Sequence, residues 1–247
     1  MKILPWYVVY AAGFSAALGL AGHRSRPVSG GPSPRPRPKR ILIVGGTGGT
    51  GRELLTQALE RGYQVTALVR DPSRIAKGTA GLTVVQGDVM DSESVRRTMA
   101  GQEAVVSVLG HRRYFGPTRI LSEGTRNLLD AMQAHGVPRF VGCTSLGIGD
   151  SAGRLGLMYT LFVLPIVLPF YFWDKARQER IIASSNVEWT IVRPAALTNG
   201  ERRGQVRHGH GVGHFLWTQS VSRADVAAFM LDQLESDQYL RSAAGVA

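Results

Sequence analysis

Gly45-Gly46-Thr47-Gly48-Gly49-Thr50-Gly51 stands between an apolar run at 41–44 and a helix-forming run at 52–60. Two glycine registers fit, Gly45-x-x-Gly48-x-x-Gly51 and Gly46-x-Gly48-x-x-Gly51. Strand, glycine turn and helix in that order make a phosphate site. The first glycines allow a tight turn, Gly48 lets the backbone approach a pyrophosphate, and Gly51 lets the helix pack close to the strand. The phosphate charge then sits at the positive helix N-terminus. Gly45, Thr47, Gly48, Gly49, Thr50 and Gly51 are accordingly the expected dinucleotide cradle. The next apolar run, 64–69, ends in Arg70, where NAD-preferring domains place an acid for the ribose 2′-hydroxyl. Arg70 and Arg74 instead offer guanidinium forks for a 2′-phosphate, so NADP(H) is preferred over NAD(H). Farther on, Tyr171 and Lys175 are spaced i and i+4, which places them on one face of a helix. Pro169 suits the start of that helix.

These residues need elements to hold them. Runs at 41–44, 64–69, 82–85, 104–109, 139–144 and 187–192 read as strands, with helices between them. The expected fold is α/β: a doubly wound parallel sheet of Rossmann type. Asp88 and Val89 follow the third strand, where Asp88 is placed to face an adenine amino group. Leu109 and Gly110 end the fourth strand, beside the expected nicotinamide ribose. Ser145 lies just past the fifth strand, on the ligand side of such a sheet. Gly136 is a good stop for the helix over 123–135. Ser222 is a plausible cap for a final helix.

Composition bounds the rest. The chain has 247 residues and a net charge of +11. Residues 1–40 hold seven of the 29 basic residues and no acid, which leaves 22 basic against 18 acidic residues in the remainder. The charge is therefore concentrated in an N-terminal arm, no nucleic-acid recognition motif accompanies it, and nucleic-acid binding is not expected. The single cysteine, Cys143, cannot form an internal disulfide. Residues 3–22 carry no charge, and Arg24 and Arg26 follow them. Twenty such residues match a bilayer core, so 1–26 is expected to be an anchor-like helix. Its basic flank would keep the body on the cytoplasmic face. A cleaved signal peptide and a misplaced start are the rival readings. Residues 27–40, rich in Pro and Arg, read as an extended linker, and 41–247 as the NAD(P)-binding domain with a small C-terminal substrate lobe.

Five segments carry a family resemblance: 45–51, Leu68-Val69-Arg70-Asp71-Pro72-Ser73-Arg74, Gln86-Gly87-Asp88-Val89, Ser122-Glu123-Gly124-Thr125-Arg126-Asn127 and Thr190-Ile191-Val192-Arg193-Pro194. Together they resemble the atypical short-chain dehydrogenase/reductase group with an NAD(P)H-binding domain. Residues 135–145 bring the chain close to the flavin reductase/biliverdin-IXβ reductase type. The resemblance covers about 40–240 and implies hydride transfer from NAD(P)H, although some members only sense the cofactor. It also implies roles for Ser145 in holding a substrate carbonyl, Tyr171 in donating a proton, and Lys175 in holding the ribose and activating the tyrosine. The flavin-reductase relatives lack this tyrosine and use a histidine, where this chain has Glu179.

Residues 155–173 contain no charge. Two prolines, Pro165 and Pro169, disrupt a plain spanning helix, and the segment falls where the fold places its substrate wall. It reads as an apolar substrate wall, an interfacial membrane patch, or both, with a dimer interface or buried core as the rival. His208, His210 and His214 sit among glycines, which reads as a mobile loop rather than a metal site. The expected activity is an NAD(P)H-dependent reductase acting on a flat apolar acceptor. The alternatives are a non-catalytic NADP(H)-binding sensor or assembly factor at a membrane and, less favoured, a sugar-nucleotide enzyme of the extended family.

Overall fold

The computed structural model describes residues 3–25, 33–76, 78–111 and 116–247. Lys2, Arg26 and the expected linker residues 27–32 lie outside them. The core of the fold is set by β1 (Arg40–Val44), whose apolar run is buried on both faces. Ile41 and Ile43 belong to one hydrophobic cluster and Leu42 and Val44 to the other. That is the alternation a strand imposes, applied to a strand covered on both sides.

The chain continues through α2 (Gly49–Glu60), β2 (Gln64–Val69), β3 (Leu82–Gln86), α3 (Ser92–Met99) and β4 (Ala104–Ser107). Then come α4 (Ile120–His135), β5 (Arg139–Cys143), α5 (Pro169–Ala183) and β6 (Glu188–Pro194). Short strands β7 (Ala196–Thr198), β8 (His208–Gly209) and β9 (Ser220–Ser222) precede α6 (Arg223–Asp232) and β10 (Ser242–Val246). The main sheet runs β3-β2-β1-β4-β5-β6-β10-β8. Its strands are parallel except for β8, which pairs antiparallel with β10. The order reverses between β1 and β4, which makes the crevice at their C-terminal ends the natural ligand site. Helices α2 and α6 pack against each other, and α3, α4 and α5 pack in succession. Gly136 ends α4 in the left-handed conformation (φ 66°) and Ser222 caps α6 by accepting from Asp225 N–H at 3.0 Å, both as expected.

The N-terminal expectation needs correction. A helix, α1 (Ile3–Ala21), does form. Among the described residues, however, no helix is long and apolar enough to cross a membrane. Instead α1 lies alongside α5 and a π-helical segment at Tyr159–Val167. Ala11 and Leu18 are buried. The Tyr7 hydroxyl donates to the Leu161 carbonyl, and Phe14 meets Trp173 with ring centres 6.1 Å apart. The physical reason is symmetrical: two charge-free segments each have a face to remove from water, and each serves as the other's cover. The described end of the linker is also attached. Arg35 donates to Asp237 at 2.6 Å and to Glu188.

The 155–173 segment is neither a span nor a fully buried core. Leu164 and Pro165 point inward, while Phe162, Ile166 and Val167 are exposed. Pro169 does start the following helix. The histidine segment is not an open loop as expected. His208 belongs to β8, its Nδ1 lies 2.7 Å from the Tyr239 hydroxyl, and the His214 ring stacks on Trp217. Among the described residues, no group of three His, Cys, Asp or Glu side chains is arranged to hold a metal.

Candidate functional site

The glycine turn is built at backbone contact distance. Gly45 has φ +89°, and a Cβ there would lie 2.5 Å from the Val108 carbonyl oxygen. A Cβ on Gly51 would lie 2.1 Å from the Gly45 carbonyl oxygen. Turn, α2 and the end of β4 thus interlock without side chains. No side chain caps α2 at Gly48, so the helix N-terminus is left for an external anion. Arg223, from the start of α6, lies over this point: a Cβ on Gly49 would come within 2.7 Å of its Nε. Its Nη1 donates to Asn199 at 2.6 Å.

The expected arginines flank the turn. Arg74 is exposed and donates to the Thr47 carbonyl at 3.3 Å. It is aimed by the short 3₁₀ turn at Pro72–Arg74, which Asp71 caps by accepting from Ser73 N–H at 3.1 Å. Hydrogen bonds from Ser73 hold the Asp71 carboxyl below the usual carboxylate range. Arg70 is exposed at the end of β2. Beyond β3, Asp88 accepts from Met90 N–H at 2.9 Å, and the buried Val89 offers its carbonyl to Asn127 at 2.9 Å. An uncapped helix start, a turn closed to a Cβ at Gly45 and Gly51 and two arginines beside it fit a dinucleotide phosphate. In that arrangement, Gly45–Gly51 and Arg223 would hold the pyrophosphate and Arg70 and Arg74 a 2′-phosphate.

From this cradle the backbone leads directly to the second group of residues. Val108 touches Gly45, Leu109 is buried, and Gly110 is exposed. A Cβ on Gly110 would lie 3.6 Å from the Tyr171 hydroxyl. Lys175 is 4% exposed, with Nζ 5.2 Å from the centre of the Tyr171 ring. The sequence pairing of Tyr171 with Lys175 is therefore realised, next to Gly110. Ser145 is partly exposed just past β5. His111, which sequence reasoning missed, meets the Tyr171 ring edge-on at 4.8 Å, and its Nε2 lies 3.1 Å from the Thr118 hydroxyl.

Asp174 was also missed. Fully buried, it accepts from Leu121 N–H at 2.9 Å, Ser122 N–H at 3.2 Å and the Thr118 hydroxyl at 3.2 Å. A carboxylate on α5 thus caps α4 from outside, because α4's own N-cap position supplies no side-chain bond. This fixes the helix that carries Tyr171 and Lys175. No local sequence rule could find it, since the cap and the capped residues are far apart in the chain.

Glu179 has a structural role. Fully buried, it accepts from Arg193 Nε at 2.9 Å and Nη2 at 2.8 Å, and from the Thr144 hydroxyl at 2.7 Å. Burial works against the Arg193 charge, but Glu179 and Asp150 outweigh it and hold the guanidinium above its ordinary value. Cys143 is also buried. That burial pushes its thiol up, against the pull of the Lys175 charge.

An NAD(P)H-binding family model matches residues 45–237. The chain belongs to that family. It is 28% identical to a reductase of Aspergillus terreus, over 78% of this chain and 90% of that protein. It is 28% identical to a photosystem II assembly factor of Synechocystis, over 65% of this chain and 46% of that protein. Among solved structures, an NADP complex of a short-chain dehydrogenase/reductase from Veillonella parvula superposes with TM-score 0.72. It has 18% identity and covers 85% of this chain and 94% of that one. An anaerobillin reductase from Escherichia coli O157:H7 superposes with TM-score 0.69 at 23% identity, covering 84% and 96%. The chain spans between 33% and 62% of the length of the first curated relatives it matches.

Proposed function

We propose that this member of the NAD(P)H-binding family is an NADPH-preferring reductase that acts on a flat apolar acceptor: a flavin, a quinone or another conjugated carbonyl. The observation that carries the reading is the unbroken path from Gly45 through Val108 and Gly110 to Tyr171 and Lys175. A reductase-named relative matched over most of both chains supports it. A bound NADPH supplies hydride. The chain's own residues do the remaining work. Ser145 orients the acceptor carbonyl, and the Tyr171 hydroxyl donates a proton to the oxygen that gains charge. The Lys175 ammonium, close to the Tyr171 ring, stabilises the phenolate left behind and hydrogen-bonds the ribose. A flavin acceptor takes its proton from water, so for flavins Tyr171 is dispensable. Arg70 and Arg74 select the 2′-phosphate. The apolar wall at 155–173 favours a ring system over a sugar.

A second reading, a non-catalytic NADP(H)-binding sensor or assembly factor, is favoured by the similarity to a photosystem II assembly factor. It requires the cradle and Arg70 but not Tyr171. The deciding experiment is NADPH oxidation by the full chain across a panel of flavins, quinones and aldehydes. Turnover with any acceptor is expected. NADPH binding with no turnover across the panel would overturn the reductase reading in favour of the sensor.

A further inference from the structure

Three segments distant in sequence form one exposed apolar surface. From α1 come Trp6 and Val9, 77% and 64% exposed. From the π-helical segment come Phe162 and Ile166, and from the loop before β9 come Phe215 and Trp217, 60% and 58% exposed. Contacts join them. The Tyr7 ring stacks on Phe162 at 5.8 Å and the Tyr10 hydroxyl reaches the Pro165 carbonyl at 3.4 Å. On the other side Leu157 N–H donates to the Leu216 carbonyl at 3.2 Å, and the Thr218 hydroxyl donates to the Leu155 carbonyl at 2.9 Å. A soluble monomer rarely leaves so much large apolar surface together without a use for it.

The chemistry around the surface selects its partner. Residues 3–25, 151–173 and 202–223 contain arginines and histidines but no Asp or Glu. The Arg154 guanidinium lies 5.9 Å from the centre of the Phe215 ring, at the surface itself. Of the four tryptophans, Trp6, Trp173 and Trp217 are exposed here, and only Trp189 is buried. Tryptophan with an apolar body and a polar N–H concentrates at the boundary between headgroups and acyl chains. The rim of a protein–protein interface is polar and solvent-accessible. Segments without Asp or Glu, with Arg154 and exposed tryptophans among their apolar side chains, instead complement an anionic lipid surface.

We propose that this surface docks the protein flat on a bilayer containing anionic lipid, with Trp6, Phe162, Ile166, Phe215 and Trp217 entering the headgroup–acyl boundary. No segment spans. Helix α1 stays on the domain, because crossing the bilayer would break its bonds to 161 and 165. The docking residues lie outside the phosphate cradle and do not include Tyr171 or Lys175, so vesicle binding and NADPH turnover are read separately.

The test is sedimentation of the full chain with vesicles of equimolar phosphatidylcholine and phosphatidylglycerol, compared with phosphatidylcholine alone. Binding to the mixed vesicles is expected, weaker to phosphatidylcholine and weakened by salt. The variant Phe215→Ser/Trp217→Ser, in an exposed loop, is expected to lower partitioning at least about tenfold with an unchanged thermal midpoint. Arg154→Gln is expected to lower the preference for the anionic vesicles about fivefold. Failure of the wild-type chain to bind either vesicle overturns the proposal, as does equal binding by the double variant. So does a stable dimer that Phe162→Glu disperses in a chain that ignores vesicles, which would assign the surface to a second copy.

Discussion

A methyl group added at Gly51 has nowhere to go, since the Gly45 carbonyl oxygen would lie 2.1 Å from it. Gly51→Ala is therefore expected to abolish NADPH binding in a fluorescence titration, because α2 must back away from the turn that cradles phosphate. Arg70→Ser with Arg74→Ser removes side chains that are exposed and hold little of the fold together. Hydrogen bonds to a charged group contribute about 1.5–3 kcal/mol each. The double variant removes two such partners and should thus bind NADPH at least about a hundredfold more weakly and leave NADH binding unchanged, as measured by the two dissociation constants. At the other end of the crevice, Tyr171→Phe and Lys175→Met are each expected to cut carbonyl reduction about a hundredfold while NADPH still binds. Unchanged turnover in both variants would remove these residues from the proton transfer. Of these residues, the placement of the glycines, Arg70, Tyr171 and Lys175 was legible in the sequence, because each is fixed by spacing within one strand–turn–helix unit or one helical turn. His111, Asp174 and Arg223 were not legible. Their meaning comes from neighbours brought in by β4, α4 and α6, and neither propensity nor period encodes those pairings.

At the level of elements, the best-buried charge pair holds a helix in place. Arg193, on β6, donates to Glu179 of α5 and, at 2.7 Å, to the carbonyl of His23 just after α1. Glu179 accepts from His23 N–H at 3.3 Å. Removing one partner of a buried pair strands the other, so Glu179→Ala should destabilise the chain by about 3–5 kcal/mol, read as a fall in the denaturant midpoint. Burial first, and then the Arg193 charge, hold the His23 imidazole below its ordinary value of 6.5, against the opposing pull of Glu179 and Asp150. The folded chain therefore takes up this proton less readily than the unfolded chain. Its contribution to stability is present above 6.5 and is lost as pH falls from there toward the lower folded value. Proteolysis within α1 should become faster across that window, and His23→Gln should flatten the response. The strands and the order of helices were readable from their apolar runs and caps. The seat of α1 was not, because an uncharged helix is equally suited to lipid and to another uncharged segment.

For the whole molecule, α1 belongs to the folded body rather than preceding it. A chain lacking residues 1–25 would uncover Leu18's neighbours, the π-helical segment and one side of α5. It is expected to aggregate or to lose thermal stability even though every strand of the sheet remains, and scattering during a thermal melt would show this. The same arrangement has a consequence in time. Ser25 accepts a hydrogen bond from Ala243 N–H, 218 residues further along, and α5 and β6 also follow long after α1. At about 5–20 residues per second on the ribosome, the first helix is complete roughly 10–40 s before the last strand of its seat is made. During that interval it is an apolar helix without its own domain to lie on, and whatever shelters it then, a chaperone or a lipid surface, meets it before the Rossmann domain does.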